Sequence, residues 1–113
     1  MRKLLWAVVT CCLLLAGCAQ PLPPDKLAYA GQWRSTTTNL LITESGNIHY
    51  RRVDGNASKS INGPLQSFEG SHLVVGIGPV KTTFVVAVPP HEDGDTWKMT
   101  VDGVELTKVP LGE

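Results

Sequence analysis

The stretch WKMTVDGVELTKV, residues 97–109, decides the fold class because its pattern is that of a β-hairpin. Asp102-Gly103 is a favoured two-residue type I′ turn, and it joins two runs in which apolar and polar residues alternate. The turn pairs Met99 with Leu106 and places the apolar pairs on one face and the polar pairs on the other. Because turn and alternation specify the same register, the sequence predicts an antiparallel hairpin with one buried face.

A second hairpin is predicted over residues 39–53. A two-residue loop would mix apolar and polar side chains on each face. A three-residue loop over residues 44–46, with Gly46 in the left-handed conformation, instead pairs Ile42 with Ile48 and keeps the apolar set together. We therefore expect the three-residue loop.

Turn residues recur at short intervals through the rest of the chain after residue 29, with Val, Ile and Thr between them. Further strands are predicted at residues 32–36, 59–68, 72–77 and 81–88, followed by an acidic loop at residues 89–95. Sustained helical periodicity is absent from this sequence, so the pattern favours an all-β domain of about seven strands. A small antiparallel barrel and a compact sandwich both fit this number of strands.

The start of this domain carries a short motif, Gly31-Gln32-Trp33. It resembles the Gly-x-Trp of lipocalin first strands, and the resemblance implies a lipocalin-like meander. We expect Trp33 and Trp97 to lie in the core, and a barrel this small to fill its interior with side chains.

The first 17 residues have the organisation of a secretory signal peptide. Arg2 and Lys3 form a basic start, residues 4–16 are uncharged and mostly apolar, and small residues follow. The run is shorter than the roughly 20 apolar residues that a bilayer-spanning helix needs. It ends in Leu15-Ala16-Gly17-Cys18, which resembles the lipobox of bacterial lipoproteins.

That resemblance implies cleavage before Cys18 and attachment of lipid to its thiol. In a Gram-negative host, the resemblance further implies that Ala19, the residue after the cysteine, favours the outer membrane facing the periplasm over the inner membrane. The predicted organisation is a signal peptide at residues 1–17, the lipidated cysteine with a Pro-rich tether at residues 18–28, and a β domain at residues 29–113. The proline content of the tether favours an extended spacer.

Cleavage leaves a mature chain with few reactive groups. Cys11 and Cys12 are removed and Cys18 is used for lipid, so no disulfide, thiolate metal site or cysteine nucleophile is expected. Ten Lys and Arg lose Arg2 and Lys3, leaving eight against ten Asp and Glu, a net charge of −2. This balance, without a basic patch that contains aromatic residues, gives no support to nucleic-acid binding.

The sequence lacks the common motifs of catalysis and cofactor binding. The sequence has no Gly-x-Ser-x-Gly elbow, no His-Glu-x-x-His and no phosphate-binding loop, so we expect no enzyme and no cofactor. His49, His72 and His91 have no metal-binding spacing, and no metal site is expected. The remaining candidate is a binding face in which Arg side chains suit carboxylate, phosphate or polymer recognition; it consists of His49, Arg51, Arg52 and Lys59.

Three functions fit these features. The first is a membrane-anchored envelope lipoprotein with a non-catalytic interaction or scaffold domain, whose partner is an envelope protein or peptidoglycan. The second is a periplasmic inhibitor or immunity lipoprotein that directs the acidic residues 92–95 against a hydrolase or toxin. The third is a lipocalin-like binder of a small ligand.

Overall fold

The computed structural model describes residues 19–110, so the predicted signal peptide and Cys18 lie outside the described residues. A 3₁₀ helix, Pro24–Tyr29, precedes nine strands. These are β1 (Gly31–Arg34), β2 (Thr38–Ile42), β3 (Asn47–Asp54), β4 (Ala57–Glu69), β5 (His72–Ile77), β6 (Val80–Phe84), β7 (Val86–Asp93), β8 (Thr96–Val101) and β9 (Val104–Val109). The all-β prediction is confirmed.

The strands form a single antiparallel sheet, in the order β6-β5-β4-β3-β2-β1-β9-β8-β7. Neighbours in this order are mostly neighbours in sequence, except that β1 pairs with β9, where Gln32 is the partner of Val109. The sheet curls into a partly closed barrel. The compact sandwich that the sequence left open is therefore not formed.

Both predicted hairpins have the expected register. Met99 pairs with Leu106 around the Asp102-Gly103 turn, and Ile42 pairs with Ile48. The apolar partners are buried in both hairpins because each turn puts them on the concave face of the sheet.

The sheet has nine strands where about seven were predicted, and Val85 accounts for one of the additional strands. The segment predicted as one strand at residues 81–88 divides there, because the Val85 N–H donates to Asp102 Oδ1 and the Val85 carbonyl accepts from the Asp102 N–H. Before Val85 the chain pairs with β5, and after it with β8.

The acidic loop predicted at residues 89–95 also differs, because β7 continues to Asp93. The pairing of β7 with β8 shifts register on both sides of Val88. Pro89 and Pro90 follow that residue, and a proline has no N–H for the ladder, so it is tolerated in a strand at the edge of a sheet. β7 is one of the two edge strands.

The concave face of the sheet holds the core. Its largest fully buried side chains are Trp33, Phe84, Leu40, Ile42, Ile48, Leu65, Leu73, Met99 and Leu106. Trp33 has no exposed surface, whereas Trp97 is half-buried at the margin of the cluster. The interior is thus occupied by side chains, as a barrel of this size requires.

The segment before β1 packs on the sheet, which differs from the extended spacer predicted for residues 19–28. The Gln20 N–H donates to the Leu65 carbonyl at 3.3 Å, and the Leu22 N–H donates to the Glu44 carbonyl at 3.0 Å. Leu22 and Tyr29 are buried in the core cluster. Burying two large apolar side chains outweighs the preference of the prolines for an extended chain.

The 3₁₀ helix is tied to the domain through Tyr29. Its carbonyl accepts the Trp33 indole N–H at 2.9 Å, and its hydroxyl donates to the Ser71 carbonyl at 2.9 Å. Burial raises the pKa of the Tyr29 phenol, and the hydrogen bond to Ser71 opposes that rise. Lys108 covers another side of Trp33, since its ammonium lies 4.9 Å from the centre of the indole ring. Burial lowers the pKa of Lys108.

Gly46 is where the N-terminal segment meets the β2–β3 turn. Its φ is +94°, and a Cβ at this position would collide with the backbone carbonyl of Gln20. Only glycine allows both the left-handed conformation and this close approach.

We expect Gly46→Ala to destabilise the protein more than Gly55→Ala. Both glycines have positive φ, so alanine costs about 1 kcal/mol at either position. Gly55 has open space around it, whereas at Gly46 the methyl group also displaces Gln20. Urea denaturation of the mature protein measures both losses in the free energy of unfolding, and equal losses would contradict the close approach.

Candidate functional site

The outer, convex face of the sheet carries a row of polar residues across four strands. Arg34 on β1 is the partner of Asn39 on β2, Asn39 is the partner of Arg51 on β3, and Arg51 is the partner of Ser60 on β4. Alternation explains the placement, since Trp33, Leu40 and Tyr50, the neighbours of these residues in sequence, are buried on the other face. The two arginines therefore flank one asparagine, about 10 Å apart at two strand spacings.

A second polar row lies beside the first. Here Gln32 and Leu41 are partners, and His49 is the partner of both Leu41 and Asn62. The Gln32 amide donates to Asn39 Oδ1 at 3.2 Å, and His49 Nδ1 lies 3.0 Å from Asn62 Oδ1. These hydrogen bonds fix the amides and the imidazole on the surface.

The two rows border two adjoining depressions, which we call the arginine groove. The larger, about 280 Å³, is lined by Arg34, Ser35, Thr36, Thr37, Thr38, Asn39, Arg51 and Val53. The smaller, about 180 Å³, is lined by Gln32, Asn39, Leu41, His49, Tyr50, Arg51, Ser60 and Asn62. Asn39 and Arg51 line both, so one extended ligand can contact the full length of the groove.

The loop between β1 and β2, residues 35–37, borders one end of the groove and has a defined shape. Ser35 Oγ accepts hydrogen bonds from the backbone N–H groups of Thr37, at 3.2 Å, and Thr38, at 3.0 Å. A serine hydroxyl commonly stabilises a tight turn in this way. The hydroxyl-bearing side chains of this loop are thereby held beside Arg34.

The groove is positively charged. Within residues 19–110 the ion pairs join Lys26 to Asp25 and Lys98 to both Asp93 and Glu105, and none of them involves Arg34 or Arg51. Two guanidinium groups without carboxylate partners, next to amide and hydroxyl groups, can bind an anionic ligand through bidentate hydrogen bonds.

The structure divides the binding face that the sequence predicts. His49 and Arg51 lie in the arginine groove. Arg52 points to the opposite face of β3 and is half-buried, and it is the Cα partner of the exposed Lys59. Those two cations lie on the face of β3 and β4 that is turned away from the groove, so they form a separate basic pair.

Arg34 was missed by the sequence reasoning. It follows the buried Trp33, so its outward position was available from alternation, but its closeness to Arg51 was not. That closeness depends on β1 and β3 pairing with opposite edges of β2. Predicting the register between β1 and β2, which the loop at residues 35–37 sets, would have placed Arg34 next to Asn39 and therefore near Arg51.

The remaining candidate residues are spread over the surface. His72 Nδ1 accepts the Val86 N–H at 2.9 Å, and His91 Nδ1 lies 2.9 Å from the Pro89 carbonyl. Within residues 19–110 no three His, Cys, Asp or Glu side chains come together as metal ligands. The acidic segment at residues 92–95 includes the turn of the β7–β8 hairpin. Next to this turn, Lys98 Nζ lies 3.6 Å from Asp93 Oδ2.

One further observation concerns membrane-spanning helices. No helix in the described part of the chain has the length and apolar character needed to cross a bilayer.

The basic pair yields a stability prediction. Like charges directly opposite each other on one face of a sheet are destabilising, so Lys59→Glu should raise the free energy of unfolding by about 0.5 kcal/mol at low salt. Lys59→Gln, the matched neutral control, should give a smaller gain, and the advantage of Glu over Gln should disappear in an Arg52→Gln background. Urea denaturation measures the free energy of unfolding of both Lys59 variants in each background, and an advantage that persists without Arg52 would contradict the pairing.

Comparison of the chain with protein-family models, with curated proteins and with solved structures finds no match in any of the three. Its function is therefore inferred from the sequence around Cys18, the fold and the arginine groove.

Proposed function

We propose that this chain is a lipid-anchored protein of the bacterial cell envelope and that its β domain is a non-catalytic binding module. Two features support the proposal. The lipobox ends at Cys18, immediately before the described domain, and the domain offers a surface groove that carries two arginines. The outer membrane, facing the periplasm, is the proposed location because Ala19 follows the cysteine.

The anchor works through buried hydrocarbon. Each CH₂ group in the bilayer contributes about 0.8 kcal/mol, and one acyl chain alone gives only marginal binding. Two or three chains on Cys18 hold the protein on the membrane permanently. A domain held in this way meets ligands that are themselves fixed in the envelope, which favours an interaction or scaffold role.

Cys18→Ser should abolish lipidation and leave the uncleaved precursor. The matched control is Cys12→Ser, which changes a cysteine inside the segment expected to be removed. Growth with radiolabelled palmitate, followed by membrane fractionation, measures both. Label on the Cys18→Ser protein, or loss of label from Cys12→Ser, would contradict the assignment of the lipidated cysteine.

The ligand proposed for the arginine groove is peptidoglycan. The observation that carries this choice is the pair of exposed guanidinium groups of Arg34 and Arg51 on either side of Asn39. Peptidoglycan presents carboxylates next to amides and sugar hydroxyls, which match guanidinium, amide and hydroxyl groups respectively. Two adjoining depressions that share Asn39 and Arg51 fit a segment of polymer better than a compact small molecule.

Arg34→Gln and Arg51→Gln should each weaken binding of the mature protein to purified sacculi. A hydrogen bond to a charged group contributes about 1.5–3 kcal/mol, which corresponds to a loss of about tenfold or more. Lys81→Gln is the matched control, because it removes one exposed positive charge on β6, away from the groove. Co-sedimentation with sacculi measures the affinity.

Two results would contradict the choice of ligand. One is failure of the unaltered protein to sediment with sacculi. The other is an equal loss in all three variants, which would show that net charge and not the groove determines binding.

A further inference from the structure

The β5–β6 hairpin ends in an uncharged apolar tip, Ile77-Gly78-Pro79-Val80. Ile77 is 74 % exposed and Val80 is 78 % exposed, whereas the next most exposed large hydrophobic residue within residues 19–110, Val85, is 48 % exposed. Single apolar residues on a surface are ordinary, but two large ones together at the end of a projecting hairpin indicate contact with something apolar.

The tip has a fixed shape. Ile77 and Val80 are cross-strand partners, so their side chains lie on the same face of the hairpin. Gly76, the residue before the tip, has a φ of +144°, and a Cβ there would collide with the Val80 carbonyl oxygen. Outside the tip, Lys81 is exposed and carries a positive charge. The hairpin thus presents a small apolar wedge next to a cation.

The tip lies close to the point where the chain enters the described domain. The Gln20 N–H donates to the carbonyl of Leu65, and Leu65 is the partner of Val75 on β5. The amide of Gln66 donates to the carbonyl of Gly78 in the tip at 3.1 Å. Gln20 and β5 therefore lie on opposite edges of β4, about 10 Å apart at two strand spacings.

We propose that this tip inserts into the same bilayer that holds the acyl chains of Cys18, as a second membrane contact. The inference rests on the proposed lipid anchor, since Cys18 precedes Gln20 by only two residues. An anchor this close keeps the bilayer at high effective concentration around the tip. The apolar side chains enter the interface between headgroups and acyl chains, and Lys81 lies at the level of the phosphates.

A bilayer fits the tip better than a protein partner does. A stable protein interface buries roughly 1,200 Å² or more, which is far more than an isoleucine and a valine can supply. On the face that carries Ile77 and Val80, the next cross-strand pair is Val75, which is buried, and Thr82, which is polar and half-buried, so the exposed apolar surface does not extend along the hairpin. Membrane insertion requires no larger patch because the acyl chains already hold the protein at the surface.

A fluorescent label at residue 77 tests the proposal. The mature chain has no thiol other than that of the lipidated Cys18, so Ile77→Cys introduces a single site for an environment-sensitive nitrobenzoxadiazole label. The lipidated protein is reconstituted into phosphatidylethanolamine and phosphatidylglycerol vesicles, with and without doxyl-labelled lipid. Val88→Cys is the matched control, because Val88 is 42 % exposed and lies on β7, roughly 25 Å of extended chain beyond Val80.

We expect the emission of the label at residue 77 to shift to the blue and to lose most of its intensity with doxyl-labelled lipid, while the label at residue 88 stays unchanged. Palmitate incorporation is measured on the same preparations. If palmitate is incorporated but doxyl-labelled lipid does not quench the label at residue 77, tip insertion is overturned while the anchor stands. This holds even if the emission shifts to the blue, because a blue shift without quenching reports a protein contact. Absence of palmitate overturns the anchor and, with it, the inference that the tip enters the anchoring bilayer.

Discussion

Burial of Trp33 is the constraint on which the rest of the domain depends. The indole has no exposed surface, yet its N–H needs an acceptor, and the Tyr29 carbonyl supplies one at 2.9 Å. A buried donor without a partner costs about 1–3 kcal/mol, so this hydrogen bond holds the 3₁₀ helix against the sheet. Lys108 covers the ring from β9, and the same two residues, Trp33 and Lys108, are register partners where β1 meets the last strand.

Closing a sheet of short strands also requires its edges to be managed, since open edges invite pairing with other chains. Here one stretch of chain supplies both outer strands, because β6 and β7 are consecutive and stand at opposite ends of the strand order. Asp102 holds the bend at Val85, and His72 accepts the N–H of Val86 across the seam. The edges are therefore drawn together by the chain itself.

Closure of the sheet leaves two features on the outside, the polar arginine groove and the apolar tip of the β5–β6 hairpin. They lie on different strands. The arginine groove crosses β1 to β4 on the convex face, while the apolar tip projects from β5 and β6 beside the segment that leads back to Cys18. The proposed membrane contact and the proposed polymer contact therefore use different strands of the domain. The two proposed contacts belong to one role, a fixed bridge within the envelope.

The sequence by itself determined the local pairings. The turns at Asp102-Gly103 and Gly46, combined with alternation, fixed the register of two hairpins and the outward position of His49 and Arg51, because such pairs form between residues close in the chain. The same alternation places Arg52 on the opposite face from Arg51. Only the tertiary structure decided that Arg34 lies beside Arg51 and that Leu22 packs in the core. Those outcomes depend on which strands far apart in sequence pair with each other and on which apolar surface remains to be covered once the sheet has closed. Both are set by the free energy of the whole sheet, and no local sequence pattern specifies them.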